Sequence, residues 1–230
     1  MNIFLRRKIQ EGLARTTFVF ALTVGLVGAL AGCSEPRKQN VGVYMLLDTS
    51  GTYTDEIGKA QQIINYTLSQ LNPGDSFAVA RIDTGSFSEK DIVARVTFDE
   101  RPSTANGQKR QFQEAVNAFV DQVRPAGYTD ISGGLLQALE YLNEKDPGRK
   151  TIFIFSDLKE DLQEGYVRDF TMTFTDVDVV AMNVTKLRSD NVDPREYLNR
   201  LSDWENRVQQ GGGQWRVIND LDRLERLFRT

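Results

Sequence analysis

The sequence predicts an α/β fold: a doubly wound, mostly parallel central sheet with helices on both faces and one antiparallel edge strand. Three observations predict it. Apolar runs of strand length alternate with stretches in which apolar residues recur every three to four positions. The runs Val41–Leu47, Lys150–Phe155 and Val177–Met182 read as strands buried on both faces. One pair of strand-like segments is joined by too few residues to return through a helix, so that pair must be antiparallel.

In chain order, Val41–Leu47 (VGVYMLL) is the first strand and ends at Asp48. Ile57, Ala60, Ile64, Leu68 and Leu71 share one face of a following helix, with Asp55 and Glu56 at its positive end. Asn72-Pro73-Gly74-Asp75 breaks it. Ser76–Ile82 and Ile92–Phe98 form the antiparallel pair across the short link Asp83–Asp91. Phe112, Ala115, Val116, Phe119, Val120 and Val123 mark a second helix, stopped by Pro125-Ala126-Gly127. Leu135, Ala138, Leu139 and Leu142 mark a third, closed by Asp146-Pro147-Gly148. After the two buried strands, Asp193-Pro194-Arg195-Glu196 opens a helix with a capping residue and Pro in the first turn. Tyr197, Leu201, Trp204 and Val208 are its apolar stripe. Gly211–Gly213 ends it, Gln214–Ile218 is a last strand, and Leu221, Leu224, Leu227 and Phe228 suit a terminal helix.

The chain has 230 residues, 40% hydrophobic and 26% charged, which suits one domain with a packed core. Residues 1–32 stand apart from it. Arg6, Arg7, Lys8 and Arg15 precede the apolar run Thr16–Leu30, which is short for a membrane span and reads as a secretory signal. The run ends in Leu30-Ala31-Gly32-Cys33, which resembles the lipobox of bacterial lipoproteins. That resemblance implies cleavage before Cys33 and a diacylglycerol thioether on its sulfur. It also implies an exported, membrane-held protein, and Ser34 favours the outer membrane and periplasm in a cell with two membranes. Residues 33–40 are then the lipidated cysteine and a polar tether, whose last seven residues reach ~24 Å when extended. Residues 41–230 are the domain.

Charge and missing residue types exclude several functions. Loss of residues 1–32 removes four basic groups and Glu11, taking the net charge from −4 to −7. An acidic domain with no basic stripe is not built for nucleic acid. Cys33 is the sole cysteine, so export brings no internal disulfide. The chain has no histidine. Histidine-based triads, a histidine general base and histidine-containing zinc sites are therefore excluded. Any metal must be a hard cation held by oxygen.

Oxygen ligands gather where strands end. Asp48-Thr49-Ser50-Gly51-Thr52 follows the first strand, and the alternation lets Asp48, Ser50 and Thr52 converge on one point. Gly127-Tyr128-Thr129-Asp130 precedes the third helix, and Phe155-Ser156-Asp157 ends the strand expected beside the first. Ligands of open α/β sheets bind at the carboxyl ends of strands. This ordered set resembles the metal-ion-dependent adhesion site of von Willebrand factor type A (vWA) domains, over roughly Val41–Leu227. Asp48, Ser50 and Thr52 match the first motif, Thr129 the lone threonine and Asp157 the strand-end aspartate. The resemblance implies a Rossmann-like vWA fold, a bound Mg²⁺ or Mn²⁺, and a protein partner presenting an Asp or Glu to the metal. That makes the chain a non-enzymatic, divalent-cation-dependent binding module. Thr52 stands where the family usually has Ser, and Leu158 where it usually has Gly.

Two enzymatic patterns compete. Asp48-Thr49-Ser50-Gly51-Thr52 with Asp157 and Asp161 imitates a haloacid dehalogenase-like, Mg²⁺-dependent phosphohydrolase, with Asp48 as nucleophile and Lys150 as the candidate lysine. Ser50, however, replaces the second Asp that would protonate the leaving group. Asp83-Thr84-Gly85-Ser86 is like an aspartic protease motif, but that chemistry needs two such aspartates and an all-β fold.

Overall fold

The computed structural model describes residues 38–51, 53, 56–220 and 225. The elements are β1 (Val41–Asp48), α1 (Ile57–Gln70), β2 (Ser76–Ile82), β3 (Ile92–Thr97), α2 (Pro102–Val120), α3 (Ile131–Lys145), β4 (Arg149–Phe155), β5 (Val177–Met182), α4 (Pro194–Gln210) and β6 (Gln214–Ile218). Short 3-10 turns occupy Glu89–Asp91 and Ser189–Asn191. The six strands lie in the order β3-β2-β1-β4-β5-β6. Every neighbouring pair is parallel except β2 with β3, which pair antiparallel at one edge. The short Asp83–Asp91 link forces that reversal, as the sequence predicts.

β1 is central because both its faces are apolar. Val43, Met45 and Leu47 point to one side, and Tyr44 and Leu46 to the other; all are fully buried. The first set packs with Ile64 and Leu68 of α1 and Phe112 and Val116 of α2. The second packs with Leu135, Ala138 and Leu142 of α3 and Trp204 and Val208 of α4. Burying two such layers against one sheet is the main stabilising term, at roughly 1.5–3 kcal/mol for each large apolar side chain. Both layers lie within the compact unit Lys38–Thr230. That unit therefore carries a complete sheet and core of its own.

The structure differs from the sequence reading at element ends. α2 begins at Pro102, a first-turn position that suits proline. Its early turns are polar and bury only Ala105, so the apolar stripe from Phe112 marks just the later half. Val123 lies beyond its end. Glu56 makes no capping bond at α1. Its carboxylate accepts instead from Asn183 Nδ2 at 2.9 Å and pairs with Lys59. The last residues of the expected tether are docked: Asn40 accepts from the backbone of Gly148 and Arg149 and donates to the Gly74 carbonyl. The expected signal segment, Cys33, Asp55 and the residues Leu221, Leu224, Leu227 and Phe228 lie outside the described residues. Among the described residues, no helix is long and apolar enough to cross a membrane.

Strand order reverses between β1 and β4: the chain leaves β1 toward β2 on one side, while β4 leads to β5 on the other. The loops leaving these two strands diverge and open a crevice at their carboxyl ends. The β4-to-β5 connection adds a further feature. Ser156–Asp176 contains no helix and only one isolated bridge residue, Asp161.

Candidate metal centre

Three loops meet at this crevice. A parallel bridge joins Ser50 to Ala126, with the Ala126 N–H donating to the Thr49 carbonyl at 2.7 Å. An antiparallel bridge joins Thr129 to Asp161, through N–H···O bonds of 2.8 and 2.9 Å. Ser50, Gly51, Ala126, Gly127, Thr129, Asp157, Lys159, Asp161 and Leu187 line an open pocket of about 270 Å³ between them. A turn in which the Tyr53 N–H donates to the Ser50 carbonyl folds the first loop back, and the buried Tyr53 ring packs edge-on against Phe155.

Asp48, which ends β1, is 1% exposed. One carboxylate oxygen accepts the Ser50 N–H at 2.8 Å, and the other accepts the Ser156 hydroxyl at 2.6 Å. Asp157, 3% exposed, accepts the Lys159 N–H at 2.8 Å. Burial raises the pKa of Asp48 above the usual carboxylate range, against the opposing effect of its Ser156 and Ser50 hydrogen bonds. Burial likewise pushes Asp157 up to about 6; the Lys159 N–H opposes this and the negative charge of Asp48 adds to it.

The chain has a measurable likeness to solved structures. It is similar to a von Willebrand factor type A protein from Catenulispora acidiphila, with a TM-score of 0.51 and 18% identity over 83% of this chain and 41% of that one. The fold is that of a vWA domain. The pilus adhesin SpaC from Lactobacillus rhamnosus GG also matches, at a TM-score of 0.51 and 10% identity, over 84% of this chain and 29% of the adhesin. The chain thus spans less than half the length of either protein. No family model and no curated protein matches the sequence.

Within this fold, the structure brings Ser50, Thr129 and Asp157 around one pocket, and Asp48 is tied to it through the Ser50 N–H. Thr52 lies outside the described residues. Among the other buried aspartates, Asp91 pairs with Arg81 at 3.2 Å, Asp130 with Arg168 at 2.5 Å and Asp190 with Arg200 at 2.8 Å, whereas Asp75 accepts the Val41 and Asn72 N–H groups instead. Among the described residues, neither Asp48 nor Asp157 has an ion pair within 4.0 Å. The charges of Arg200 and Lys159 near Asp157 offset only in part the cost of two neighbouring buried carboxylates. With hydroxyl oxygens beside them, they fit a small divalent cation that retains some water. The donor set is hydroxyl-rich rather than acid-rich. No cluster of three or more acidic, histidine or cysteine side chains occurs among the described residues.

Sequence reasoning missed the residues that hold these groups in place. Ser156 is fully buried and links Asp48 to the Leu158 N–H, which donates to the serine oxygen at 3.0 Å. Asp130 caps α3 by accepting the Gly133 N–H at 2.8 Å. A Cβ on Gly133 would approach the Asp130 carboxylate to 2.5 Å, so this cap needs a glycine there. Arg200 donates to the Asp157 carbonyl while held by Asp190.

Leu158 takes a backbone conformation that favours glycine. Its φ is 65°, in the left-handed region that costs a non-glycine residue about 1–2 kcal/mol. Its side chain is 1% exposed within the α3–α4 core layer, and its carbonyl accepts the Trp204 indole N–H at 3.0 Å. Burial of a leucine, at about 1.5–3 kcal/mol, offsets the strain.

Of the phosphohydrolase pattern, Asp157 and Asp161 line the same pocket, but the candidate lysine does not. Lys150 lies opposite Gly42 at the amino end of the strands, and its Nζ bonds Asn143. It is therefore remote from Asp48, which ends β1. The Asp83–Ser86 segment is a turn: the Ser86 hydroxyl donates to the Asp83 carbonyl and accepts the Asp83 N–H, while the Ser86 N–H is held by Asp130. It caps a loop.

Proposed function

We propose that this protein is a non-enzymatic, divalent-cation-dependent protein-binding module, held by lipid on Cys33 at a bacterial envelope membrane. The observation that carries the reading is the pair of buried aspartates without a side-chain ion pair: Asp157 beside Ser50 and Thr129 at the open crevice, and Asp48 bound to the Ser50 N–H. Asp48, Ser50, Thr52, Thr129 and Asp157 would hold Mg²⁺ or Mn²⁺. When bound, the cation supplies a Lewis-acidic position for an oxygen ligand, here an Asp or Glu carboxylate of a partner. The chain's own residues do the positioning. Ser156 orients Asp48, and Arg200 fixes the Asp157 backbone. The match in fold to a pilus adhesin is in keeping with a binding role.

The anchor and the site suit opposite ends of the domain. Val41 begins β1 and Asp48 ends it, ~23 Å apart at strand rise. Asn40 is hydrogen-bonded at the Val41 end, to the Gly74 carbonyl and the Gly148 N–H. An anchor attached at the Val41 end would leave the crevice open to a soluble or opposite-membrane partner, without requiring one fixed orientation. The test is a pull-down from envelope extract on the immobilised Lys38–Thr230 unit. A partner retained in Mg²⁺, released by chelator and absent with Asp48→Ala supports the reading. Retention unaffected by chelator and by Asp48→Ala contradicts it.

A further inference from the structure

The β4–β5 crossover carries an inference that the cation site does not need. Every other connection between parallel strands of this sheet includes a helix, whereas Ser156–Asp176 includes none. Irregular connections of that length are uncommon in compact domains and commonly functional. This one is pinned along its course. Asp161 bridges to Thr129, and the Arg168 guanidinium binds both carboxylate oxygens of the buried Asp130. The Tyr166 ring lies against Gly85, where a Cβ would come within 2.8 Å of it, and Arg168 sits over the same ring at 5.4 Å. Met172 and Phe174 plug the far end into the core.

Between the pins the loop turns apolar groups outward. Val167 is 73% exposed, Tyr166 43% and Phe170 38%, and Phe87 on the abutting β2–β3 turn is 45% exposed. A loop this firmly tied leaves such groups in solvent at a cost unless they meet a partner. Aromatic side chains already held in place lose little entropy on docking. Along the crossover itself the exposed charges are mainly negative, Asp161, Glu164 and Asp169 against Lys159, while Glu89 and Lys90 follow Phe87 as an exposed pair of opposite sign. Arg168 is engaged by Asp130, and Glu160 by the Ser132 N–H.

We propose that this crossover is a preorganised docking loop for a partner-protein segment that places an aromatic or aliphatic side chain among lysines or arginines. The inference rests on the reading that this edge of the domain binds protein, but not on the cation. An anionic lipid surface is the poorer fit, because the exposed acids would face like charge.

The test selects displayed random short peptides against the Lys38–Thr230 unit, with chelator present throughout so that the outcome is independent of the metal. Selected peptides should combine Phe, Tyr, Leu or Ile with neighbouring Lys or Arg. The triple variant Tyr166→Ser, Val167→Ser, Phe170→Ser should weaken them by about tenfold or more, equivalent to at least ~1.4 kcal/mol. Glu164→Lys with Asp169→Lys should remove the preference for basic flanks. All five positions are at least partly exposed, and an unchanged thermal midpoint verifies the fold. Failure to enrich any peptide, enrichment of acidic peptides, or affinity untouched by the triple variant would overturn the proposal. Binding to phosphatidylglycerol vesicles that the triple variant abolishes would overturn it as well, by assigning the patch to lipid.

Discussion

Asp157→Asn separates the cost of the site from its use. The raised pKa of Asp157, from 3.8 to about 6, penalises the ionised folded state by about 3 kcal/mol. The sign follows from proton linkage. Because the folded value exceeds the unfolded one, the penalty is absent below pH 3.8, grows up to about 6 and is constant above that. Asparagine removes the charge and keeps an oxygen to accept the Lys159 N–H. In chelator at pH 7 the variant should therefore be more stable than wild type by about 1–3 kcal/mol, or ~2–4 °C in Tm per kcal/mol. The two should converge as the pH falls toward 4. Magnesium at 100 times its Kd should restore about 2.7 kcal/mol to the wild type and nothing to the variant. Urea unfolding of the Lys38–Thr230 unit, with chelator and with millimolar Mg²⁺, measures all of these. A variant less stable than wild type in chelator at pH 7, or stabilised equally by Mg²⁺, would refute the reasoning.

Ser156→Ala should leave the Asp48 carboxylate without its hydroxyl partner and weaken metal binding by roughly 10–100-fold, the scale of lost supporting contacts at metal sites. Calorimetric titration checks this, and wild-type affinity in the variant would count against a positioning role. Leu158→Gly relieves left-handed strain but empties a core position. The expected net change is a destabilisation of about 1–3 kcal/mol, read by chemical denaturation, whereas a more stable glycine variant would show that strain dominates. Cys33→Ser should block lipidation and leave an unprocessed precursor; mature wild-type protein that partitions into the aqueous phase of a detergent separation would contradict the anchor.

Much of the fold was legible because period and burial coincide. β5 and β6 have the bounds that the sequence predicts, and β1 and β4 each extend by one residue. The Asp83–Asp91 link fixed the antiparallel edge by its length alone. α2 was half legible, since its first two turns face solvent and carry no apolar stripe. At the site, Asp48, Ser50, Thr129 and Asp157 stood out through residue type and strand-end position. Their supports did not. Arg168 meets Asp130 across 38 positions and Arg200 meets Asp190 across 10, and no local pattern announces either pairing. Ser156 was visible as a residue, but its bond to Asp48 depends on β4 lying beside β1. Leu158 read as a departure from glycine, and only the structure shows that its backbone is left-handed and its side chain buried.

The most direct measurement is calorimetric titration of Mg²⁺ and Mn²⁺ into the metal-free Lys38–Thr230 unit, with Asp48→Ala alongside. The account predicts saturable binding at one site in the wild type, and none in a variant that keeps its circular dichroism spectrum. Folded wild-type protein that takes up no cation at millimolar metal, or an Asp48→Ala variant that titrates like the wild type, would contradict it.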